Sequence, residues 1–378
     1  MQKSVADIRD CYGCGVCVAA CPYHVLELKH DKNGFYAPKM VNEKACTDCG
    51  ICRNVCSYVD EALAVNQPVQ EWHAVWSKDA EVRSNCSSGG VAFELAKKAI
   101  EDGYVVVGVR YNAEKHRAEH CLCETVEELK ATRGSKYIQS FTTEAFAQLD
   151  RKKKYMVVGT PCQIDSMRRW IRQRKIDDNF VLVDFFCHGV PSYWVWKKYV
   201  KENFAGKELR SIDFRSKRNH TTNEAWPWHA SYVVTCHDIR ECVNQPNIYK
   251  RDWFYEYFLS DFSHSRPCYE KCKFKMYSSS ADIRIGDAWG SAYEKNDEGV
   301  SAVLVYTEKG KALLEKCDNV VSDDLALELL CEGQMPQSPA MPPLYGLRLW
   351  LLRNTPFSLH FINRIVNRVK RMLNKRDE

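Results

Sequence analysis

A run of four cysteines occurs twice near the N-terminus and limits what the first part of this chain can become. The first run is Cys11-Tyr-Gly-Cys14-Gly-Val-Cys17-Val-Ala-Ala-Cys21, and the second is Cys46-Thr-Asp-Cys49-Gly-Ile-Cys52-Arg-Asn-Val-Cys56. Both have the spacing Cys-x2-Cys-x2-Cys-x3-Cys, which is typical of bacterial ferredoxins with two 4Fe–4S clusters. In that pattern the fourth cysteine of each run binds the other cluster. The sequence therefore predicts cluster one on Cys11, Cys14, Cys17 and Cys56, and cluster two on Cys21, Cys46, Cys49 and Cys52.

The spacing suits iron better than zinc. Iron in a 4Fe–4S cube takes one soft thiolate per iron, and two-residue gaps let three thiolates from one loop reach one cube. The glycines beside the cysteines let the loop wrap closely around it. A structural zinc site normally uses two Cys-x2-Cys halves, with four ligands in all. Two runs of identical spacing exceed that need, so clusters are favoured over zinc and over unligated core cysteines.

The remaining composition excludes several classes of protein. The chain has 19 cysteines in 378 residues and starts without an apolar signal-peptide core, which predicts reduced thiols in a cytoplasmic protein. No run approaches the roughly 18 apolar residues of a membrane-spanning helix. The net charge is +5, but residues 346–378 alone contribute eight Lys/Arg and two Asp/Glu. The rest of the chain is therefore close to neutral, and no nucleic-acid partner is expected.

Three segments differ in pattern. Residues 1–66 carry the cysteine repeat around a turn at Gly34 and predict an α+β ferredoxin-like domain. Residues 67–345 alternate predicted strands (104–109, 155–158 and 180–186) with predicted helices (90–101, 143–153 and 163–174). This alternation favours an α/β domain with a largely parallel sheet. Residues 346–378 predict a basic amphipathic helix that extends to Arg376, with Thr355 as its N-cap and Pro356 at its first position.

The apolar stripe of this C-terminal helix includes Ile362, Val366 and Leu373, with basic residues up to Lys375 around it. Such a helix can pack on its own domain, dock an acidic partner such as a ferredoxin, or lie on an anionic membrane. Self-packing is the commonest outcome, an acidic partner comes second, and membrane association is the least expected.

Four further cysteines are candidate ligands in the second segment. Cys162 and Cys187 follow the strands predicted at 155–158 and 180–186. Ligands of open α/β sheets lie beyond the carboxyl ends of the strands. Cys268 and Cys272 form another pair, so four thiols can converge at one edge of the sheet.

Together these segments resemble the family of coenzyme F420 hydrogenase/dehydrogenase beta subunits. The resemblance runs from about residue 72 to about residue 310 and rests on Ser87-Ser-Gly-Gly90, Gly134-Ser-Lys-Tyr137-Ile-Gln139-Ser, Gly159-Thr-Pro-Cys-Gln163, Cys187-His-Gly-Val-Pro-Ser192, Phe214-Arg-Ser-Lys217, Cys268-x3-Cys272 and Ile285-Gly-Asp-Ala-Trp-Gly290. It implies an α/β flavin-binding domain, usually with FAD. It also implies a third 4Fe–4S cluster beside the flavin, held by Cys162, Cys187, Cys268 and Cys272. The resemblance does not establish the deazaflavin coenzyme F420 as the substrate.

Other site residues follow from the same resemblance. Ser87, Ser88, Gly89 and Gly90 precede a predicted helix whose N-terminus suits a flavin phosphate, although the turn could simply cap the helix. Ser135, Lys136 and Tyr137 are expected at the cofactor, with Lys136 either over the flavin or at the solvated surface. His188 is either a core histidine or the catalytic proton donor beside the flavin.

Electron counting then suggests a function. A 4Fe–4S cluster carries one electron, organic carriers change by two, and a flavin accepts either. We expect an oxidoreductase that passes electrons between a ferredoxin or other redox protein, the clusters, FAD and an unknown organic two-electron substrate or carrier. The main alternative is an electron-input subunit whose partner holds the catalytic site. A non-catalytic carrier is less expected, because the ferredoxin-like segment alone would suffice for it.

Overall fold

The computed structural model describes residues 4–217, 235–238, 242–243 and 252–374. The helices are α1 Val16–Ala19, α2 Ile51–Asn54, α3 Ala80–Asn85, α4 Val91–Glu101, α5 Val126–Lys130, α6 Thr143–Phe146, α7 Pro161–Gln173, α8 Tyr193–Phe204, α9 Trp253–Leu259, α10 Arg266–Glu270, α11 Glu308–Glu315, α12 Leu327–Leu330, α13 Tyr345–Asn354 and α14 Leu359–Asn374. The strands are β1 Leu26–His30, β2 Tyr36–Met40, β3 Glu71–Ser77, β4 Tyr104–Asn112, β5 Arg117–Cys123, β6 Ser140–Phe141, β7 Lys154–Val158, β8 Phe180–Phe185, β9 Leu209–Asp213, β10 Thr235–Asp238, β11 Cys242–Val243, β12 Ile283–Asp287, β13 Ser301–Val305 and β14 Val320–Asp323.

A nine-stranded sheet of order β14-β3-β13-β12-β8-β7-β4-β5-β6 organises the second segment. Its four central strands, β12, β8, β7 and β4, are parallel neighbours. The flanking strands β5, β13, β3 and β14 join by antiparallel pairing. The α/β architecture is thus confirmed, but the sheet is mixed rather than largely parallel. The connection 113–116 between β4 and β5 is too short for the crossover that a parallel pair requires, so it forms a hairpin.

The predicted elements agree with the structure where their periodicity is strong. The helices at 90–101 and 163–174 correspond to α4 and α7, and the three predicted strands correspond to β4, β7 and β8. The helix predicted at 143–153 is wrong beyond Phe146, because only α6 forms there. The C-terminal helix also begins later than predicted. Thr355 is the C-cap of α13 rather than an N-cap, and its hydroxyl donates to the carbonyl of Leu351. The next helix, α14, begins at Leu359.

The described part of α14 packs on its own domain. Ile362 and Val366 are buried in a core shared with α8, α9 and α13, whereas Phe361, Met372 and Leu373 remain exposed. Self-packing is therefore confirmed for the first half of the apolar stripe. Lys375 and Arg376 lie outside the described residues. None of the described helices is both long and apolar enough to cross a membrane.

The cysteine-rich segment shares its core with the large sheet. Val16, Val25 and Val55 belong to the same hydrophobic cluster as Tyr155 and Phe180 of β7 and β8. The β1–β2 hairpin adds an aromatic contact, because the His30 ring stacks on Tyr36 (4.1 Å between centroids) and on Tyr193 of α8 (4.5 Å). The described part of segment 1–66 is thereby packed firmly against residues 67–345.

The stacked histidine makes this contact sensitive to acid. Burial lowers the pKa of His30 to about 4, so the folded state favours the neutral ring. The neutral His30 ring makes its full contribution to the free energy of unfolding above the unfolded-state pKa of about 6.5. As the pH falls from there toward 4, that free energy decreases by no more than about 1.4 kcal/mol per pH unit. We expect His30→Phe, which keeps the stack, to lose less thermal stability than the unsubstituted chain between pH 7.5 and pH 5.5. Equal losses would contradict this, because His120, whose pKa burial also lowers to about 4, is present in both proteins.

Candidate functional site

Four cysteines of the repeat line one small cavity. Cys11, Cys14 and Cys17 come from the first run and Cys56 from the end of the second. These are the four residues that the interleaved ferredoxin spacing assigns to cluster one. Gly13 and Gly15 have φ values of +67° and +77°, which glycine adopts without strain. The cavity therefore offers four thiols, one for each iron of a 4Fe–4S cube.

Burial and mutual repulsion keep these thiols protonated when no metal is bound. Burial, with a smaller contribution from neighbouring thiols, raises the pKa of Cys11 to about 12 and that of Cys14 to about 11. The pKa of Cys17 is also well above its ordinary value, chiefly because of burial. Since iron binds thiolates, loading this cavity must release protons.

The cysteines assigned to cluster two lie nearer the surface. Cys49 is exposed and Cys46 and Cys52 are half-buried, whereas Cys21 is buried. In the part of the chain that the structure describes, no three His, Cys, Asp or Glu side chains stand in the arrangement of a single-ion metal site. The assignment of all eight residues to two clusters therefore stays a prediction.

The four cysteines of the second segment lie at the carboxyl ends of the central strands or beside them. Cys162 lies in the first turn of α7, where its Sγ is 3.2 Å from Oγ1 of the N-cap residue Thr160. Cys187 follows β8, Cys268 lies in α10 and Cys272 follows α10. Burial raises the pKa of Cys162, Cys187 and Cys268, and the neighbouring thiols, including Cys272, contribute. The four thiols are thus close enough to repel one another as thiolates.

A cavity of about 340 Å³ adjoins these cysteines at the same edge of the sheet. Its lining includes most of the predicted site residues, namely Ser87, Ser88, Gly90, Ser135, Lys136, Tyr137, Cys162, Cys187, His188 and Cys268. Gly89 and Cys272 are not part of this lining. The location matches the rule that ligands of open α/β sheets lie beyond the carboxyl ends of the strands.

The Ser87–Gly90 loop is held tightly at the start of α4. The Ser87 hydroxyl accepts a hydrogen bond from the amide of Ser135 (2.8 Å), which ties two predicted binding segments together. The amide of Gly89 donates to Ser301 Oγ (3.0 Å), and a Cβ at Gly89 would lie 2.5 Å from the Val75 carbonyl oxygen. Gly90, with φ of +87°, is the N-cap of α4. The N-terminus of α4 therefore lies beside the cavity.

Two lysines support the walls of the cavity. Lys136 donates to the carbonyls of Thr132, Arg133 and Gly134, and burial lowers its pKa to about 8. Lys217 donates to carbonyls around the Ser87–Gly90 loop, including that of Ser88, and burial lowers its pKa to about 7. Lys136 is half-buried, and its ammonium group could reach a phosphate only by releasing these backbone bonds. Its role at the cofactor stays a prediction.

His188 belongs to a polar group that sequence reasoning covered only in part. Burial lowers the pKa of His188, which lines the large cavity together with Gln334. Gln334 Nε2 donates to the carbonyl of Asp287 (2.6 Å), and Asp287 Oδ2 accepts from Arg215 Nη1 (2.9 Å). Arg215 and Asp287 lie in segments that carried the resemblance, but nothing in the sequence pointed to Gln334.

Tyr12, between the first two cysteines, was also missed. It lines both the cluster-one cavity and the large cavity. Its hydroxyl donates to the carbonyl of Lys271, next to Cys272. Its ring meets Tyr58 and Phe274 edge-on, at 5.3 Å and 5.9 Å between centroids. Tyr12 thus spans the space between the two sets of cysteines.

Comparison with protein-family models gives three matches, which lie between residues 10 and 323. Residues 10–59 match the 4Fe-4S dicluster domain. Residues 72–146 match the N-terminal part, and residues 152–323 the C-terminal part, of the coenzyme F420 hydrogenase/dehydrogenase beta subunit. This chain belongs to that family of beta subunits. The resemblance inferred from its motifs is confirmed, and the family together with the dicluster domain makes it an iron–sulfur electron-transfer protein of the oxidoreductase class.

Curated relatives of this family member include two oxidoreductases. One subunit of the F(420)H(2) dehydrogenase from Methanosarcina mazei is 25% identical over 328 residues, which cover 79% of this chain and 84% of the relative. Coenzyme F420-dependent sulfite reductase from Methanocaldococcus jannaschii is 26% identical over 172 residues, 44% of this chain and 26% of that protein. A chain in a solved structure of the F420-reducing [NiFe] hydrogenase complex from Methanosarcina barkeri aligns with a TM-score of 0.45 and 16% identity, over 79% of this chain and 92% of that one.

Proposed function

We propose that this protein passes electrons between its 4Fe–4S clusters and a flavin in the large cavity, and between that flavin and an organic two-electron carrier. The observation that carries the proposal is the lining of a single cavity. One wall is the Ser87–Gly90 loop at the N-terminus of α4, and another holds Cys162, Cys187 and Cys268. A helix N-terminus suits the phosphates of FAD, and thiols suit iron.

The exposure of the cysteines supports an order for the electron path. Cys49 of cluster two is exposed, the thiols of cluster one are largely buried, and Cys14 lies close enough to Cys162 to raise its pKa. A redox protein can reach the exposed Cys49 directly, whereas the cysteines assigned to cluster one are largely buried. We therefore place cluster two first, cluster one next, the third cluster on Cys162, Cys187, Cys268 and Cys272 after it, and the flavin last.

The flavin would supply the conversion between one-electron and two-electron transfer. The residues of this chain would bind and orient it. The Ser87–Gly90 loop would face its phosphates, Tyr137 would contribute an aromatic wall, and His188 would exchange a proton with the reacting carrier. We propose coenzyme F420 as that carrier, because the names of the relatives specify F420 or F420H2.

The second candidate is an electron-input subunit of a larger complex, whose partner holds a further catalytic site. It is favoured by the relative from Methanosarcina mazei, because that protein is itself part of a multi-subunit dehydrogenase by name and this chain covers 84% of its length. Turnover of F420 by the purified chain would favour the first candidate. Co-purification with a second polypeptide, and no turnover without it, would favour the second.

The test is the cofactor content of anaerobically purified protein. We expect about eight iron atoms from the two N-terminal clusters, or about twelve with the third, and a similar amount of acid-labile sulfide. We expect released flavin to be FAD by fluorescence and mass spectrometry. Zinc as the main metal with negligible sulfide would contradict the clusters. Absence of flavin, both as purified and after incubation with FAD, would contradict the flavin site.

A further inference from the structure

One buried acceptor in the large cavity lacks a partner. Asp287 is the last residue of β12, and its side chain lines the cavity. Its Oδ2 is held by Arg215, whose side chain is fully buried and whose guanidinium lies 5.1 Å from the centre of the Trp289 ring. Its other oxygen, Oδ1, is buried and has no hydrogen-bond partner among the described residues.

An arrangement of this kind is unfavourable unless a ligand completes it. A buried acceptor without a donor costs about 1–3 kcal/mol, and more if it is charged. Buried polar groups are therefore nearly always paired. Arg215 and the bond from Gln334 Nε2 to the Asp287 carbonyl fix the carboxylate in place. The free oxygen thus cannot easily turn toward another protein donor.

The position of Asp287 indicates which part of a ligand it faces. Its strand β12 pairs in parallel with β8, which leads directly into Cys187 and His188. Gln334, which donates to the Asp287 carbonyl, lines the cavity together with His188. A cofactor that exchanges electrons with a cluster held by Cys187 and its neighbouring cysteines would place its redox-active ring at this end of the cavity. The ring, rather than the phosphates, then lies beside Asp287 Oδ1.

We propose that Asp287 Oδ1 accepts a hydrogen bond from the imide N–H of a bound isoalloxazine-type ring. This inference rests on the proposed function. The imide, an N–H between two ring carbonyls, is shared by flavins and by the deazaflavin F420, so the same acceptor suits both. Arg215 is a positioning residue that aims the carboxylate, and Asp287 selects for a ring that carries a donor at this position.

The test compares binding of FAD with binding of FAD methylated at the imide nitrogen (N3). We expect the unsubstituted protein, stripped of flavin, to bind FAD at least about tenfold more tightly than N3-methyl-FAD, because a hydrogen bond to a charged group is worth roughly 1.5–3 kcal/mol. Asp287→Ala should bind both within about threefold of each other. Asp287→Asn, which keeps the shape of the side chain, should bind FAD more weakly than the unsubstituted protein. Asp297→Asn, at an exposed site, is the matched control.

The possible outcomes separate this inference from the function on which it rests. If the unsubstituted protein binds both forms of FAD equally, or if Asp287→Ala discriminates as well as it does, the inference is overturned while the flavin site stands. If no FAD binds at all, the flavin assignment fails, and the same comparison with F420 and its N3-methyl derivative decides the role of Asp287. If Asp287→Ala does not fold, Asp287→Asn and the unsubstituted protein still give the comparison.

Discussion

Replacement of Cys49 by serine should slow reduction of the bound flavin by ferredoxin at least about a hundredfold, an increase in barrier of about 2.7 kcal/mol or more. Cys49 is the exposed thiol of the second run, so its loss should disrupt cluster two, where electrons from a redox protein would arrive. Direct chemical reduction of the flavin should remain close to the rate of the unsubstituted protein. Stopped-flow absorbance with ferredoxin, and separately with dithionite, measures the two reactions.

Cys162→Ser is the matched variant at the other end of the path. Cys162 lines the large cavity in which we propose the flavin, so its loss should remove about four irons and disturb the absorbance of a bound flavin. The cluster-two spectrum should be retained in this variant. If both variants lose ferredoxin-linked and chemical reduction of the flavin to the same degree, the order of sites that we propose is wrong.

Gly15→Ala is expected to destabilise the protein by about 3 kcal/mol or more, whereas Gly50→Ala should cost only about 1–2 kcal/mol. The two glycines occupy the same position in the two cysteine runs and have similar left-handed backbones, with φ of +77° and +73°. At either site, the left-handed backbone conformation costs a residue with a Cβ atom roughly 1–2 kcal/mol. At Gly15, however, a Cβ would lie 2.1 Å from Thr142 Oγ1, while at Gly50 it would meet nothing within 4 Å.

The difference between the two variants measures how firmly the first run is held against the rest of the chain. Thr142 is fully buried and donates to the carbonyl of Cys14, so it cannot move aside without losing that bond, and overpacking typically adds about 1–3 kcal/mol. Urea unfolding under anaerobic conditions, with iron retention measured in parallel, gives both stabilities. Equal destabilisation by the two substitutions would show that contact with Thr142 contributes nothing.

The sequence predicted the parts of this protein that depend on local spacing. The thiols of Cys11, Cys14, Cys17 and Cys56 line one cavity, as the interleaved pattern requires. The two-residue gaps bring the first three together by loop geometry, and the pairing of the two runs adds Cys56. The helices α4 and α7 and the central parallel strands followed from periodicity that spans a whole element. The family, too, could be recognised from short motifs taken in order.

The prediction failed where contacts between distant segments decide the outcome. The sheet is mixed because β13, β3 and β14 add to its edge from positions far apart in the chain, and no local pattern specifies that pairing. Lys136 lines the large cavity, and its role at the cofactor stays a prediction, but only the fold shows that its ammonium group donates to three backbone carbonyls. Gln334 has no signature at all, since its role depends on His188 and Asp287 lying next to it.

The two cysteine runs show most directly how the two kinds of information differ. Their identical spacing determined, from the sequence alone, that both should bind the same type of cluster. Only the tertiary structure makes them unequal, by burying the first run against α7 and Thr142 and leaving Cys49 of the second run at the surface. Ligand geometry is set within a few residues of chain, whereas burial is set by whatever the folded chain packs on each run. The sequence therefore predicted the same chemistry for both runs, and the fold decided which run lies nearer the surface.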